Sequence, residues 1–227
     1  VWASAPGLGG VRGTVLQNHA AHAGAPEVAV RLFAAAVADL DPLPFPHLAA
    51  AARFNLGVAS LQLGRDAEAL DELLASAAVM RRIGDRGSET RAVTWAWSAA
   101  LLADRPAAGR ACGVRLEALA DTPAVSADLA MLRALTAWAW GGPDPEGALA
   151  VAAVLARSAA SQSTLAEVLA YSAALDRTRG RPDGPSLAEA RALGGPAEPL
   201  LAVLDGAPPR NAHARLVARL LARTFSD

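Results

Sequence analysis

The residues best suited to chemistry in this sequence are two histidines and a single cysteine. His19 and His22 lie three residues apart, so on a helix both would project from one face and could form half of a metal site. No carboxylate or thiol follows at a local spacing that would complete the ligand set, which favours a plain surface pair. Cys112 has Arg110 and Arg115 nearby, but it lies in an alanine-rich helical stretch with no histidine partner. That setting indicates a packed thiol and not a nucleophile.

Arginine supplies the candidates for binding anions. All 21 basic residues are arginine, so a phosphate-binding loop that depends on lysine is excluded. Arg215, Arg219 and Arg223 recur every four residues, and on a helix they would form one basic stripe. Such a stripe could meet a phosphate group or a partner domain, and a terminal helix with a polar outer face explains it equally well.

Two Trp-Ala-Trp triplets, at residues 95–97 and 138–140, bring aromatic rings into otherwise small-residue helices. Residues i and i+2 of a helix point about 200° apart, so only one tryptophan of each pair can face the core. We expect Trp97 to pack between helices and Trp140 to be the better candidate for touching a ligand.

The composition limits the class of protein. Hydrophobic residues make up 53% of the 227-residue chain but aromatic residues only 4%, because alanine dominates, and this favours closely packed helices over sheets. The formal charge of −1 gives no general attraction to nucleic acid or anionic membranes. A lone cysteine suits a reducing compartment, and no apolar run reaches the ~20 residues of a membrane span, so we expect a cytoplasmic protein. Because the chain starts at Val1, we also expect it to be part of something longer.

Proline and glycine divide the sequence into short helices. Residues 1–10 are small and glycine-rich and are expected to form a flexible tail, and a first helix should begin near Val11. Helical repeats should then cover residues 11–179, followed at 180–227 by a divergent repeat and a capping helix. The expected N-caps are polar residues just ahead of apolar helical stretches, namely Asp66, Ser88, Thr122, Asp144, Thr164, Ser186 and Asn211.

The hairpins recur along the chain. The small residue that opens the second helix of each pair is Ala29, Ala69, Gly109 and Ala148, with steps of 40, 40 and 39 residues. The pattern predicts a solenoid of stacked helical hairpins. In the clearest hairpin, Gly57 should let the two helices approach each other opposite Ala69, and Gly64 should form a left-handed stop between them.

This central hairpin resembles a tetratricopeptide repeat, through Asn55-Leu56-Gly57, Gly64, Ala69 and Leu73, and less closely through Gly24, Ala29 and Phe33. The step of about 40 residues is similar to the longer repeats in sensor domains of bacterial transcription regulators. The resemblance implies an all-α fold, a right-handed α-solenoid of about five helical hairpins plus a C-terminal capping helix.

In that family the first helix of each hairpin lines a concave groove, which would hold a peptide through arginine, amide and hydroxyl groups with aromatic anchors. Carrying the groove positions onto this chain gives ligand-groove candidates at Asn18, His22, Phe54, Gln62, Arg91, Thr94, Ser98, Arg133, Trp140 and Arg177.

The expected function is non-catalytic binding of a protein or peptide, by a scaffold or sensor module of a larger bacterial regulatory protein. The alternatives are a small-molecule-responsive domain of a transcription regulator and a scaffold for homodimers. The sequence shows no nucleophile elbow, zinc signature or catalytic carboxylate pair, so no enzyme activity, cofactor or metal is expected. Direct contact with nucleic acid or membrane by this segment is not expected either.

Overall fold

A computed structural model describes residues 9–181 and 184–224, and across those ranges the regular structure is entirely helical. The chain divides into two compact units, Val1–Ala103 and Asp104–Asp227. The helices of the first unit are α1 (Gly9–Ala21), α2 (Pro26–Leu40), α3 (Pro46–Gln62), α4 (Asp66–Ile83) and α5 (Arg86–Leu102). Those of the second are α6 (Pro106–Leu119), α7 (Pro123–Trp140), α8 (Pro145–Ser158), α9 (Gln162–Thr178), α10 (Pro185–Leu193), α11 (Glu198–Leu204) and α12 (Ala212–Thr224), with a 3-10 turn at Gly195–Ala197.

The first unit is a row of helices in which each packs against the next, from α1 to α5. In addition α3 contacts α5, so the first helices of two successive hairpins are neighbours. Ala36, Ala50 and Ala52 are completely buried, and such small side chains let helix backbones approach closely. The expected all-α arrangement of sequentially packed helices is confirmed.

The close approach predicted at Gly57 is present. A Cβ atom on Gly57 would lie 2.6 Å from Cγ of Leu73 and 3.2 Å from the carbonyl oxygen of Ala69. Leu73 and Ala69 are both fully buried, so α3 and α4 meet along this line without room for another carbon atom. Gly64 has a φ of 75°, the left-handed conformation expected of the stop between the two helices.

The second unit is organised around α9. Helices α6 to α10 follow one another in contact, but α9 also contacts the 3-10 turn, α11 and α12. Tyr171 and Ala174 of α9 are almost completely buried as a result. The segment after Arg179 therefore folds back over α9.

Several helix ends differ from the expected ones. The N-caps predicted at Thr122, Asp144 and Asn211 are confirmed, since each side chain accepts the backbone N–H three residues on. Four others are wrong, because their helices begin one to three residues earlier: Arg65 precedes α4, Asp85 caps α5 by accepting the N–H of Ser88, Ser161 precedes α9 and Gly184 precedes α10. Proline or a short polar side chain can start a helix at neighbouring positions, and the sequence does not choose between them.

The described ends of the chain were also compared with the expected tail and last helix. The first helix begins at Gly9 and not at Val11, so the predicted tail overlaps α1 at Gly9 and Gly10. Residues 1–8 of that tail and Phe225, the expected end of the last helix, lie outside the described residues. None of the helices in the described ranges has the length and apolar character to cross a membrane.

Candidate binding surfaces

The first unit presents the first helices of its hairpins side by side, as a groove requires. The side-chain amide of Gln17 in α1 donates to the carbonyl oxygen of Leu48 in α3 at 3.4 Å. Further along, the guanidinium of Arg91 in α5 lies over the ring of Phe54 in α3, with 5.1 Å between the guanidinium carbon and the ring centroid. We call the surface formed by α1, α3 and α5 the first-helix surface.

Arg91 and Phe54 were both predicted to be groove residues, and the structure brings them into contact. Arg91 is exposed, and Phe54 is half-buried beneath it. A cation over an aromatic face gains roughly 0.5–1 kcal/mol at an exposed site. Stacking uses the flat face of the guanidinium and leaves its N–H groups at the edge, in the plane where a carboxylate forms two parallel hydrogen bonds.

The other groove candidates of the first unit differ in accessibility. Asn18, His22 and Gln62 are exposed, and Thr94 is half-buried one helical turn beyond Arg91. Ser98 is only 5% exposed, and its hydroxyl lies 3.4 Å from the carbonyl oxygen of Thr94. Its oxygen is therefore turned towards its own helix.

The three candidates of the second unit each contact a neighbouring element, and they do not meet one another in one cluster of contacts. Arg133 pairs with Glu117 of α6 at 3.0 Å. The indole N–H of Trp140 donates to Asp104 at 2.8 Å. Arg177 donates to the carbonyl oxygen of Leu204, where α11 ends. These contacts are structural, and they anchor α7 and α9 to adjoining segments.

A cleft of about 900 Å³ opens between the C-terminal halves of α7, α9 and α12. Small and apolar residues form its wall, and arginines from α12 and from the end of α9 stand at it. We call it the α7–α9–α12 cleft; its lining includes Ala137, Trp138, Leu175, Arg179, Arg219 and Arg223. The sequence analysis identified the stripe that contains Arg219 and Arg223, but it did not identify a cavity beside it.

Two carboxylates hold the arginines of the cleft. Asp104 lies 3.0 Å from Arg223 and 3.7 Å from Arg219, and Arg223 also donates to the carbonyl oxygen of Ala139 at 2.6 Å. The hydrogen bond from Trp140 and those arginines keep the pKa of Asp104 below its ordinary value. The predicted basic stripe thus turns towards its own unit.

Glu146 is the carboxylate partner of the third arginine of the cleft, Arg179. It pairs with Arg179, and its other oxygen lies 3.2 Å from Arg181. The hydrogen bond from Arg181 and both positive charges lower the pKa of Glu146. The carboxylates thus fix where the guanidinium groups stand.

A half-buried polar cluster in the second unit was not predicted from the sequence. His213 of α12 lies 3.3 Å from Glu167 of α9, and both side chains are only about one-fifth exposed (21% and 20%). Asp128 of α7 accepts a hydrogen bond from Thr164 at 3.3 Å, and burial raises the pKa of Asp128 to about 6. These residues come from three helices far apart in sequence, so no local pattern predicts that they meet.

Cys112 is packed, as predicted. It is 3% exposed, and burial raises the pKa of its thiol to about 11. At pH 8 the thiolate fraction, and with it the rate of disulfide exchange with Ellman's reagent, should be about 100-fold below that of a free cysteine. In denaturant the rate should rise to the free value, and fast reaction of the folded protein would contradict the packed position.

Within the described ranges, no further ligands lie beside the histidine pair to complete a metal site. His19 and His22 are both exposed, and no group of three or more histidine, cysteine or acidic residues is placed there to hold a metal ion.

No family model matches the chain, and no curated protein matches it.

Proposed function

We propose that this chain is a non-catalytic binding module that holds an extended acidic peptide, from a partner protein, on the first-helix surface of its first unit. The resemblance of the central hairpin to tetratricopeptide repeats supports this, since that family binds peptides on the first helices of its hairpins. The same resemblance supports a place in a larger bacterial regulatory protein, where such modules act as sensors.

The contact between Arg91 and Phe54 carries the proposal. An arginine that is exposed and yet held in one orientation loses little conformational freedom when it binds, which favours recognition. Its edge can bind an acidic side chain or a C-terminal carboxylate through paired hydrogen bonds. The exposed Gln62, further along α3, offers an amide of the kind that bonds a peptide backbone.

Selection from a phage-displayed peptide library would test the proposal directly. We expect the whole chain to enrich peptides that contain aspartate, glutamate or a free C-terminal carboxylate. Affinity for the best of them should fall about 10- to 100-fold in Arg91→Gln, since a hydrogen bond to a charged group contributes roughly 1.5–3 kcal/mol. Phe54→Leu should weaken binding less, by about two- to five-fold, because it removes only the aromatic support.

Arg31→Gln is the matched control, because Arg31 is an exposed arginine of the same unit on α2, outside the first-helix surface. It removes the same charge and should leave the affinity unchanged. Peptides without acidic groups, or equal binding by Arg91→Gln, would refute the proposal. So would an equal loss in Arg31→Gln, which would indicate non-specific attraction.

A further inference from the structure

The lining of the α7–α9–α12 cleft is of two chemical kinds. Part of it is apolar, with the half-buried ring of Trp138 and the side chains of Ala137 and Leu175. Part of it is cationic, with the guanidinium groups of Arg179, Arg219 and Arg223. A site of this kind fits a ligand that is itself divided into an apolar body and a charged end.

The arginines are positioned but still reachable. Arg219 and Arg223 have side chains 34% and 38% exposed, and that of Arg179 is 41% exposed. Arg219 and Arg223 both pair with the carboxylate of Asp104, so their guanidinium groups lie close to the same point. The bond from Arg223 to the carbonyl oxygen of Ala139 holds its guanidinium against α7, the helix that also carries Trp138.

An anion of higher charge can replace Asp104 and Glu146 as the partner of these arginines. Asp104 is 47% exposed and Glu146 is 49% exposed, so each can keep its hydration when an arginine turns to a ligand. A phosphate monoester carries about −1.5 to −2 charges at neutral pH and three acceptor oxygens, more than one carboxylate offers. A phosphate would therefore engage two guanidinium groups together where Asp104 now does.

We propose that the α7–α9–α12 cleft is a binding site for a small amphiphilic anion, an aromatic or aliphatic body that carries a phosphate group. The apolar body lies against Trp138 and Leu175, and the phosphate is held by Arg219 and Arg223, with Arg179 as a third arginine of the lining. Every residue of this cleft belongs to the second unit. It therefore shares no residue with the proposed peptide site on the first unit.

Calorimetric titration of the whole chain with phenyl phosphate tests the site. We expect saturable binding with a submillimolar Kd. Inorganic phosphate, which lacks the apolar body, and benzyl alcohol, which lacks the charge, should each bind at least about tenfold more weakly. Arg219→Gln/Arg223→Gln should lower the affinity for phenyl phosphate by at least the same factor, and increasing salt should weaken binding to the wild-type chain.

Two further variants keep the test decisive. Ala222→Trp fills the mouth of the cleft from an exposed position and should abolish binding with the arginines intact. Arg110→Gln removes an exposed arginine of α6 in the same unit, outside the cleft, and should bind phenyl phosphate like the wild type. Circular dichroism melting curves show which variants are folded.

The proposal is overturned if phenyl phosphate gives no saturable signal at millimolar concentration, or if Ala222→Trp binds it normally. Equal affinity for inorganic phosphate, or an equal loss in Arg110→Gln, also overturns it. Arg91→Gln should leave this binding unchanged, so failure here and failure of the proposed peptide function are separate results.

Discussion

Gly57→Ala is expected to destabilise the first unit by about 1–3 kcal/mol, although alanine is normally the better helix former by roughly 1 kcal/mol. The added Cβ would lie 2.6 Å from Cγ of the fully buried Leu73 and 3.2 Å from a backbone oxygen of α4. Neither atom is the free end of a flexible side chain, so α3 and α4 must move apart. Urea unfolding followed by circular dichroism measures the loss.

The same Gly→Ala substitution at an exposed helical glycine should change the stability in the opposite direction. Gly87, in the first turn of α5, is exposed, and a Cβ there would find its nearest neighbour at 3.8 Å. Gly87→Ala should therefore stabilise the protein by about 0.5–1 kcal/mol through the helix propensity of alanine alone. If Gly57→Ala were as favourable as Gly87→Ala, the close approach of α3 and α4 would be refuted.

Leu73 provides a second check, through a double-mutant cycle. Leu73→Ala alone should cost about 2–5 kcal/mol, because it leaves a cavity at a fully buried position. The same change makes room for a Cβ on residue 57. Gly57→Ala/Leu73→Ala should thus cost less than the two single changes together, and simple additivity would mean that the two residues do not compete for space.

The features around Gly57 could be predicted because they are local. A small residue on one helix and a buried leucine on the next must meet wherever a short stop such as Gly64 joins them, and both lie within 17 residues of one another. Proline and glycine likewise mark most helix boundaries, since they act through the backbone of one or two residues. The exact starts of α4, α5, α9 and α10 were not predicted, because adjacent residues can begin a helix at a similar cost in free energy.

The second helices of successive hairpins begin at Pro26, Asp66, Pro106 and Pro145, in the predicted steps of 40, 40 and 39 residues, but the step does not extend to every close contact. A step of 40 residues back from Gly57 leads to Gln17, which is half-buried and bonds the carbonyl oxygen of Leu48. The tightest glycine of α1 is instead Gly13, where a Cβ would lie 2.6 Å from Leu40. Alanine-rich helices can slide by one turn and still pack closely, so the sequence alone does not fix the register between hairpins.

Of the groove candidates, Arg91 and Phe54 were placed by sequence reasoning on the first helices of successive hairpins, but the contact between them was not predicted. The α7–α9–α12 cleft and the half-buried polar cluster at Asp128 were not predicted. Both depend on α12 folding back over α9, a return of the chain that no local periodicity records. Only the tertiary structure brings His213 beside Glu167.

The half-buried polar cluster should make the second unit more stable at mildly acidic pH. Burial raises the pKa of Asp128 from 3.8 to about 6, against a smaller lowering by the hydrogen bond from Thr164. The folded protein therefore prefers the neutral acid. Its contribution is complete below the unfolded pKa, near 4, and is lost as the pH rises through 6.

His213 acts in the same direction. Burial alone would lower its pKa, but the hydrogen bond to Glu167 and the charges of Glu167 and Asp128 outweigh burial and raise it. Stability from the protonated imidazole is thus complete below its unfolded pKa, near 6.5, and is lost as the pH rises through the higher folded value. Burial and the charge of Glu167 raise the pKa of Tyr171, on the same helix, as well.

Asp128→Asn isolates the carboxyl group, because asparagine resembles the neutral acid and keeps an oxygen that can accept from Thr164. Relative to the wild type it should be nearly neutral at pH 4 and more stable by about 2–3 kcal/mol at pH 8, since it never has to bury a charge. Urea unfolding of both proteins at intervals from pH 4 to pH 8 gives the difference directly.

The same change at the exposed Asp71 of the first unit controls for the loss of one negative charge. Two outcomes would contradict the prediction: a stability difference between Asp128→Asn and the wild type that does not vary with pH, or one that favours the wild type at pH 8. Either would mean that the Asp128 carboxyl is ionised in the folded protein at no cost in stability, so that burial does not control its charge.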